Sequence, residues 1–210
     1  MELLQMLTRR GGGGRQEVPH SGDRDGNAHV SQGLPRHTEI TRQGGGYQSM
    51  TTAAVAGLVV RPSTVALFTL WNGEPDGGMT YIVDRAFAFN LVSGAAQAFY
   101  GIWLCLHPTG MTKPTSDITA IKSLSGKSGY GGKAILDVDA TVVDDGWFPY
   151  GPAGEAEEVG VLPGGILEAP IEGKLLVPPS AGVSIHVVSS TVNEDFTAGF
   201  GWYEHQLDMS

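Results

Sequence analysis

From Gly57 to Gln206 the chain runs as short β-rich stretches broken by turn residues, and no apolar spacing holds a 3.6-residue period long enough for a helix. Leu58–Trp71 is dense in Val, Leu, Thr and Phe, with Pro62 marking an edge or bulge near its start. The Asn72–Gly73 pair, followed by Pro75, Gly77 and Gly78, signals a loop. Tyr81–Leu91 alternates imperfectly, setting Tyr81, Val83, Phe87 and Phe89 against Asp84 and Asn90, with Arg85 interrupting the apolar side. Ala98–Leu106 reads as a central strand. Lys133–Val143 is the cleanest alternation, with Ala134, Leu136, Val138, Ala140 and Val142 on the core side and Asp137, Asp139 and Thr141 toward solvent. Beyond an acidic Gly/Pro-rich loop (144–165) come Ile166–Glu172, Gly173–Val177, Val183–Ser189 and Phe196–Gln206. Ser93–Ala98 has room for one helical turn. Roughly seven to nine short strands over about 150 residues predict an all-β antiparallel sandwich or jelly roll.

The first fifty residues differ in kind. They hold ten of the chain's 31 glycines, six arginines, no lysine and five acids. The remainder carries seven basic and seventeen acidic side chains. With few large apolar groups after Leu7, residues 1–50 cannot bury enough surface to offset their ordering entropy, and they read as an extended arm preceding a body at 51–210. Glu2–Arg10 is the arm's candidate for a short helix. Its arginines (Arg9, Arg10, Arg15, Arg24, Arg36 and Arg42) are candidates for contact with an acidic protein partner. They are too dilute to predict nucleic-acid binding, and the acidic body repels phosphate. No apolar run reaches the length of a membrane span, and Met1–Arg10 lacks the apolar stretch of a signal peptide.

Catalytic patterns fail on particular residues. Ser125–Ser128 ends like a phosphate-binding loop, but Ile121 stands where its first glycine belongs. Tyr130 occupies the last glycine position of a Gly-x-Ser-x-Gly elbow. Cys105, the sole cysteine, sits in an apolar run and excludes an intrachain disulfide. The six histidines have no metal-ligand spacing. Asp137, Asp139, Asp144, Asp145, Glu155, Glu157 and Glu158 form an acidic stretch without the glycine-containing calcium loop, so it reads as a solvated face. No enzyme, metal or cofactor is expected. Trp147, Phe148 and Tyr150, set beside Pro149 and Pro152 in a polar loop, are candidates for a surface contact with protein or glycan.

The C-terminal stretch carries a resemblance. Leu175–Val188 sets a strand, the Pro178–Pro179–Ser180–Ala181 turn and an alternating strand in a row, and Phe200-x-Trp202-x-Glu204 closes the next run. This is similar to small virion structural proteins of tailed bacteriophages, specifically over about the last 35 residues. The long glycine-rich arm departs from the shortest members. The resemblance implies a jelly-roll module, often trimeric, that decorates a capsid as a cement protein or forms a tail or head-fibre part. It implies location in a virion assembled in the bacterial cytoplasm, with itself and a major capsid or other virion protein as partners. Leu58–Trp71 and Phe196–Gln206 carry more apolar surface than one sandwich needs inside, which is the expected source of a trimer interface. From another class, a carbohydrate-binding module or cupin-like enzyme shares the architecture. The cupin reading lacks its histidine cluster, and the glycan reading needs Trp147 and Tyr150 exposed on a groove.

Overall fold

The computed structural model describes residues 37–92, 98–110, 112–126, 129–138, 140–141, 146–156 and 165–207, and in the first 36 residues the backbone of four short strands. The chain divides into two compact units, Met1–Glu39 and Ile40–Ser210.

In the first unit β1 (Gln5–Arg9) pairs antiparallel with β2 (Arg15–Pro19), and β3 (Ser21–Gly22) with β4 (Ala28–His29). The helix expected at Glu2–Arg10 is therefore corrected, over Gln5–Arg9, to a strand, because a helix that short gains too little from its own hydrogen bonds. α1 (Thr38–Gln43) spans the division at Glu39, and its end is closed by Gly44 at φ 91° and the Gly45 N–H to Ile40 carbonyl bond at 3.0 Å. β5 (Gly46–Met50) follows at once and is a strand of the sandwich, so the body begins earlier than residue 51. The glycines that made this stretch look like arm serve close packing instead. A Cβ on Gly46 would lie 3.0 Å from the Tyr203 ring.

The body continues through β6 (Val55–Ala56), β7 (Phe68–Asn72), β8 (Thr80–Val92), β9 (Ala98–His107), β10 (Lys122–Ser123), β11 (Ala134–Asp137), β12 (Phe148–Ala156), β13 (Ile166–Val177), β14 (Gly182–Ser189) and β15 (Asp195–His205). One sheet has the order β10-β5-β15-β8-β13, with β6 also on β15; the other has β11-β7-β14-β9-β12. Every named strand pair is antiparallel. With the short β6, β10 and β11 set aside, eight long strands remain. Numbered along the chain, they lie in the orders 1-8-3-6 and 2-7-4-5. That wrapping, a pair of Greek keys shared between two sheets, defines a jelly roll.

The core lies between the sheets, where alternation points Phe196, Ala198, Phe200 and Trp202 of β15 at Val183, Ile185 and Val187 of β14, all fully buried. β8 keeps its core face by a shift in register. Gly201 pairs with Arg85 but Trp202 with Val83, so Asp84 is an extra, bulged residue. Tyr81 and Val83 before the bulge and Ala86 and Ala88 after it are core, while Phe87 and Phe89 turn to the outer face. That bulge corrects the single apolar side expected from Tyr81 to Phe89. The strand expected at Lys133–Val143 is likewise shorter. Leu136 and Ala140 are buried as expected, but Asp137 is 5% exposed rather than solvated.

The apolar surplus expected at Leu58–Trp71 and Phe196–Gln206 is mostly spent inside. Leu67, Phe68, Leu70, Phe196, Phe200 and Trp202 are all core, and in these stretches the exposed large aliphatics are Val59, Val60 and Val65.

Candidate functional site

The outer faces of the two sheets are built differently. Over the β14-containing sheet, the segment before β7 and the Trp147 region form a cover. Ala66, Cys105 and Trp147 are buried there with Trp103 packed against them. Trp147 donates its Nε1–H to the Ser63 carbonyl at 3.1 Å and meets the His186 ring edge-on at 6.3 Å. Beneath runs a buried polar row in register across four strands, Asp137 beside Thr69, Thr69 beside Ser184 and Ser184 beside Cys105. Ser184 Oγ lies 2.7 Å from Thr69 Oγ1 and 2.6 Å from His107 Nε2. A Ser–His contact of this length suits a nucleophile and its base, yet Ser184 is fully buried and His107 is 2% exposed. The Thr69–Ser184–His107 chain of hydrogen bonds satisfies these groups beneath the cover.

The β15-containing sheet leaves an open groove on its outer face. Two in-register rows make it. In one, Gln48 of β5, Gly201 of β15 and Arg85 of β8 stand side by side; in the next, Met50, Gly199, Phe87 and Glu168. Because the central strand contributes glycines, nothing rises from the middle of the sheet and the flanking side chains become walls. The groove has a volume of about 450 Å3, with Ala120 and Lys122 on one rim and Ile166 and Glu168 on the other. Arg85 reaches across Gly201 to Gln48 Oε1 at 2.9 Å, pairs with Glu168 at 3.3 Å and lies 5.8 Å from the Phe87 ring centroid. A Cβ on residue 201 would come within 3.1 Å of the Arg85 side chain, so glycine is what lets the guanidinium cross the strand.

At one end of the same sheet Glu204 accepts hydrogen bonds from the Tyr130 hydroxyl at 2.5 Å and from Trp202 Nε1 at 3.1 Å. Burial pushes the Glu204 carboxyl above its ordinary value, opposed by those two hydrogen bonds. Tyr47 stacks edge-on against Tyr130 at 4.9 Å, and the Ala134 N–H donates to the Tyr130 hydroxyl. The aromatic-x-Trp-x-Glu ending thus fastens the loop carrying Tyr130 onto the sandwich.

The sequence-selected residues do not converge. Trp147 is 4% exposed, which corrects its expected role as a surface contact and removes the glycan groove that needed it. Phe148 and Tyr150 are half-buried and pack on the main core from the edge strand β12. Arg42 lies on α1 and is exposed. Arg9 and Arg15 face one another in the β1–β2 register. Arg10, Arg24 and Arg36 lie outside the described residues, as do Asp139, Asp144, Asp145, Glu157 and Glu158 and the side chain of Glu155. Among the described residues no three His, Cys, Asp or Glu side chains are placed to hold a metal. The groove was not anticipated. Its signal was present in the Gly199 and Gly201 alternation, but only the strand order sets β5 and β8 beside them.

These features define a jelly-roll sandwich with one covered and one open outer face. No protein-family model matches the chain, and no curated protein matches it. A solved structure described as sacbrood virus of honeybee is similar over the whole of this chain and 88% of that one, at 13% identity and a TM-score of 0.25. A score of that size does not establish a shared fold, and the jelly-roll assignment rests on strand order alone.

Proposed function

We propose that this chain is a non-enzymatic structural component of a virus particle, and specifically a decoration protein of a tailed-bacteriophage capsid, with a trimeric body and an anchoring arm. The observation that carries the reading is the C-terminal pattern set into a jelly roll. The segment that resembles phage virion proteins supplies β14 and β15, which occupy interior positions of the two sheets. Its Pro178–Pro179 turn, with Ser180 at φ 61°, and its Trp202–Glu204 clasp are the features that hold those strands in place. The mechanism is mechanical. Arms with arginines such as Arg9 and Arg15 lie on an acidic neighbouring surface, and many weak contacts sum over a symmetric shell. Tail or head-fibre membership is the second reading, favoured by the same C-terminal pattern.

The test is co-sedimentation with purified particles. Full-length protein is expected to bind at a fixed copy number, and protein lacking residues 1–39 to stay folded but lose occupancy. A full-length chain that never associates with particles overturns the reading. Undiminished occupancy without the arm overturns the anchoring.

A further inference from the structure

We propose that the open groove between β5 and β8 is the surface through which the body associates with a second copy of this chain. The inference names the interface of the proposed oligomer and rests on that reading of the body.

Charge selects the occupant. Residues 51–210 carry ten more acids than bases, so most faces of one copy repel most faces of another. The groove is an exception, because Arg85 and Lys122 line it against a single acid, Glu168. Two copies meeting here avoid the repulsion they meet elsewhere, and a net positive groove faces an acidic neighbour. The lining is also suited to close contact. Met50 is 41% and Ile166 63% exposed on opposite walls, with Phe87 between them. Covering such apolar walls supplies the association energy that charge alone does not.

The sheet edges offer no competing route. β12 carries Pro149, Pro152 and a bulge between Tyr150 and Ala153; β13 carries Pro170 and a bulge before Leu175. At the opposite edges β10 and β11 are two and four residues long. Prolines, bulges and short strands are what keep edges from pairing with another chain. A concave groove cannot receive itself, so the neighbour must present a different, convex surface. A head-to-tail contact whose rotation closes generates a ring, which is the form a trimer requires.

Sedimentation of the full-length protein with the paired substitutions Met50→Lys and Ile166→Lys tests this. The wild type is expected to run as an oligomer and the double variant at the 22.1 kDa of one chain, with an unchanged melting temperature. Lysines at Val59 and Val60, exposed outside the groove, are the control and are expected to leave the oligomer intact. A monomeric wild type overturns the proposal, and so does a folded double variant that stays oligomeric. If the double variant unfolds, Arg85→Glu with Lys122→Glu replaces it, and persistence of the oligomer then overturns the proposal. Particle binding is read separately: a monomer that still decorates particles removes this interface alone, whereas an oligomer that ignores particles removes the virion role and leaves the interface standing.

Discussion

The two outer faces of the sandwich share a scaffold and differ in what their central strands send outward. On β14 the outward residues are Ser184 and His186, which bond to neighbours and accept a lid; on β15 they are Gly199 and Gly201, which leave a trough. A sheet face studded with mid-sized polar groups stays buried if those groups bond to one another beneath a cover, as Thr69, Ser184 and His107 do under Trp147 and Ala66. A face with glycines down its middle gives a cover nothing to grip. The lesson is that outward residues on a central strand decide whether a sheet face becomes interior or surface, even when both inner faces are equally apolar.

The largest expected effect separates the faces directly. Trp147→Ala should destabilise the protein by about 3–5 kcal/mol, the range for emptying a buried aromatic site. Phe87→Ala, on the open face, should cost markedly less. Equal losses in chemical denaturation would mean that the cover is not a second core.

Next come the glycines. A Cβ on residue 199 would fall 2.1 Å from the Ser49 carbonyl oxygen, a backbone atom that has nowhere to go. Gly199→Ala should therefore cost about 1–3 kcal/mol as overpacking does. Gly201→Ala meets only the flexible Arg85 side chain and should cost less than half as much. Reversal of that order would show that β15 is not held against β5 as described.

Asp137→Asn and Ser184→Ala sharpen the account of the covered face. Ser184→Ala leaves His107 and Thr69 without their shared partner and should cost about 1–3 kcal/mol. Asp137, which alternation points toward solvent, is buried beside Thr69 in the strand register, so Asp137→Asn should lower the melting temperature measurably.

The open face should respond weakly to charge. Arg85→Ala removes one partly exposed ion pair, worth about 0–1 kcal/mol, and its effect should shrink further in high salt. Smallest is the pH effect of Glu204. Its folded carboxyl is raised by burial, so the folded state holds the proton more tightly than the unfolded chain does. Stability therefore falls as pH rises from about 4.5 through the raised value. Glu204→Gln should flatten that decline in a pH series of melting curves.

Period-two alternation made the sheet class legible, because a strand half buried in a sandwich must repeat every second residue. It placed Leu136 and Ala140 in the core from the sequence alone. It misplaced Phe87 and Phe89, because a bulge at Asp84 moves every later side chain to the other face, and one extra residue leaves no composition signal beyond the intruding Arg85. Glycine density drew the arm to residue 50, although Gly46 begins a strand of the body.

What the sequence determined by itself is local: turns where Asn72–Gly73 and Pro178–Pro179 stand, strands where apolar residues alternate, and no long helix. Which strands became neighbours was decided only in the tertiary structure. Pairing β5 and β8 on either side of β15 brings residues 48, 85 and 201 into one row, and stacking the Trp147 region on β14 turns Ser184 and His186 into interior. Those contacts join residues far apart in the chain. Their energies come from burial and register between strands, which no run of adjacent residues encodes.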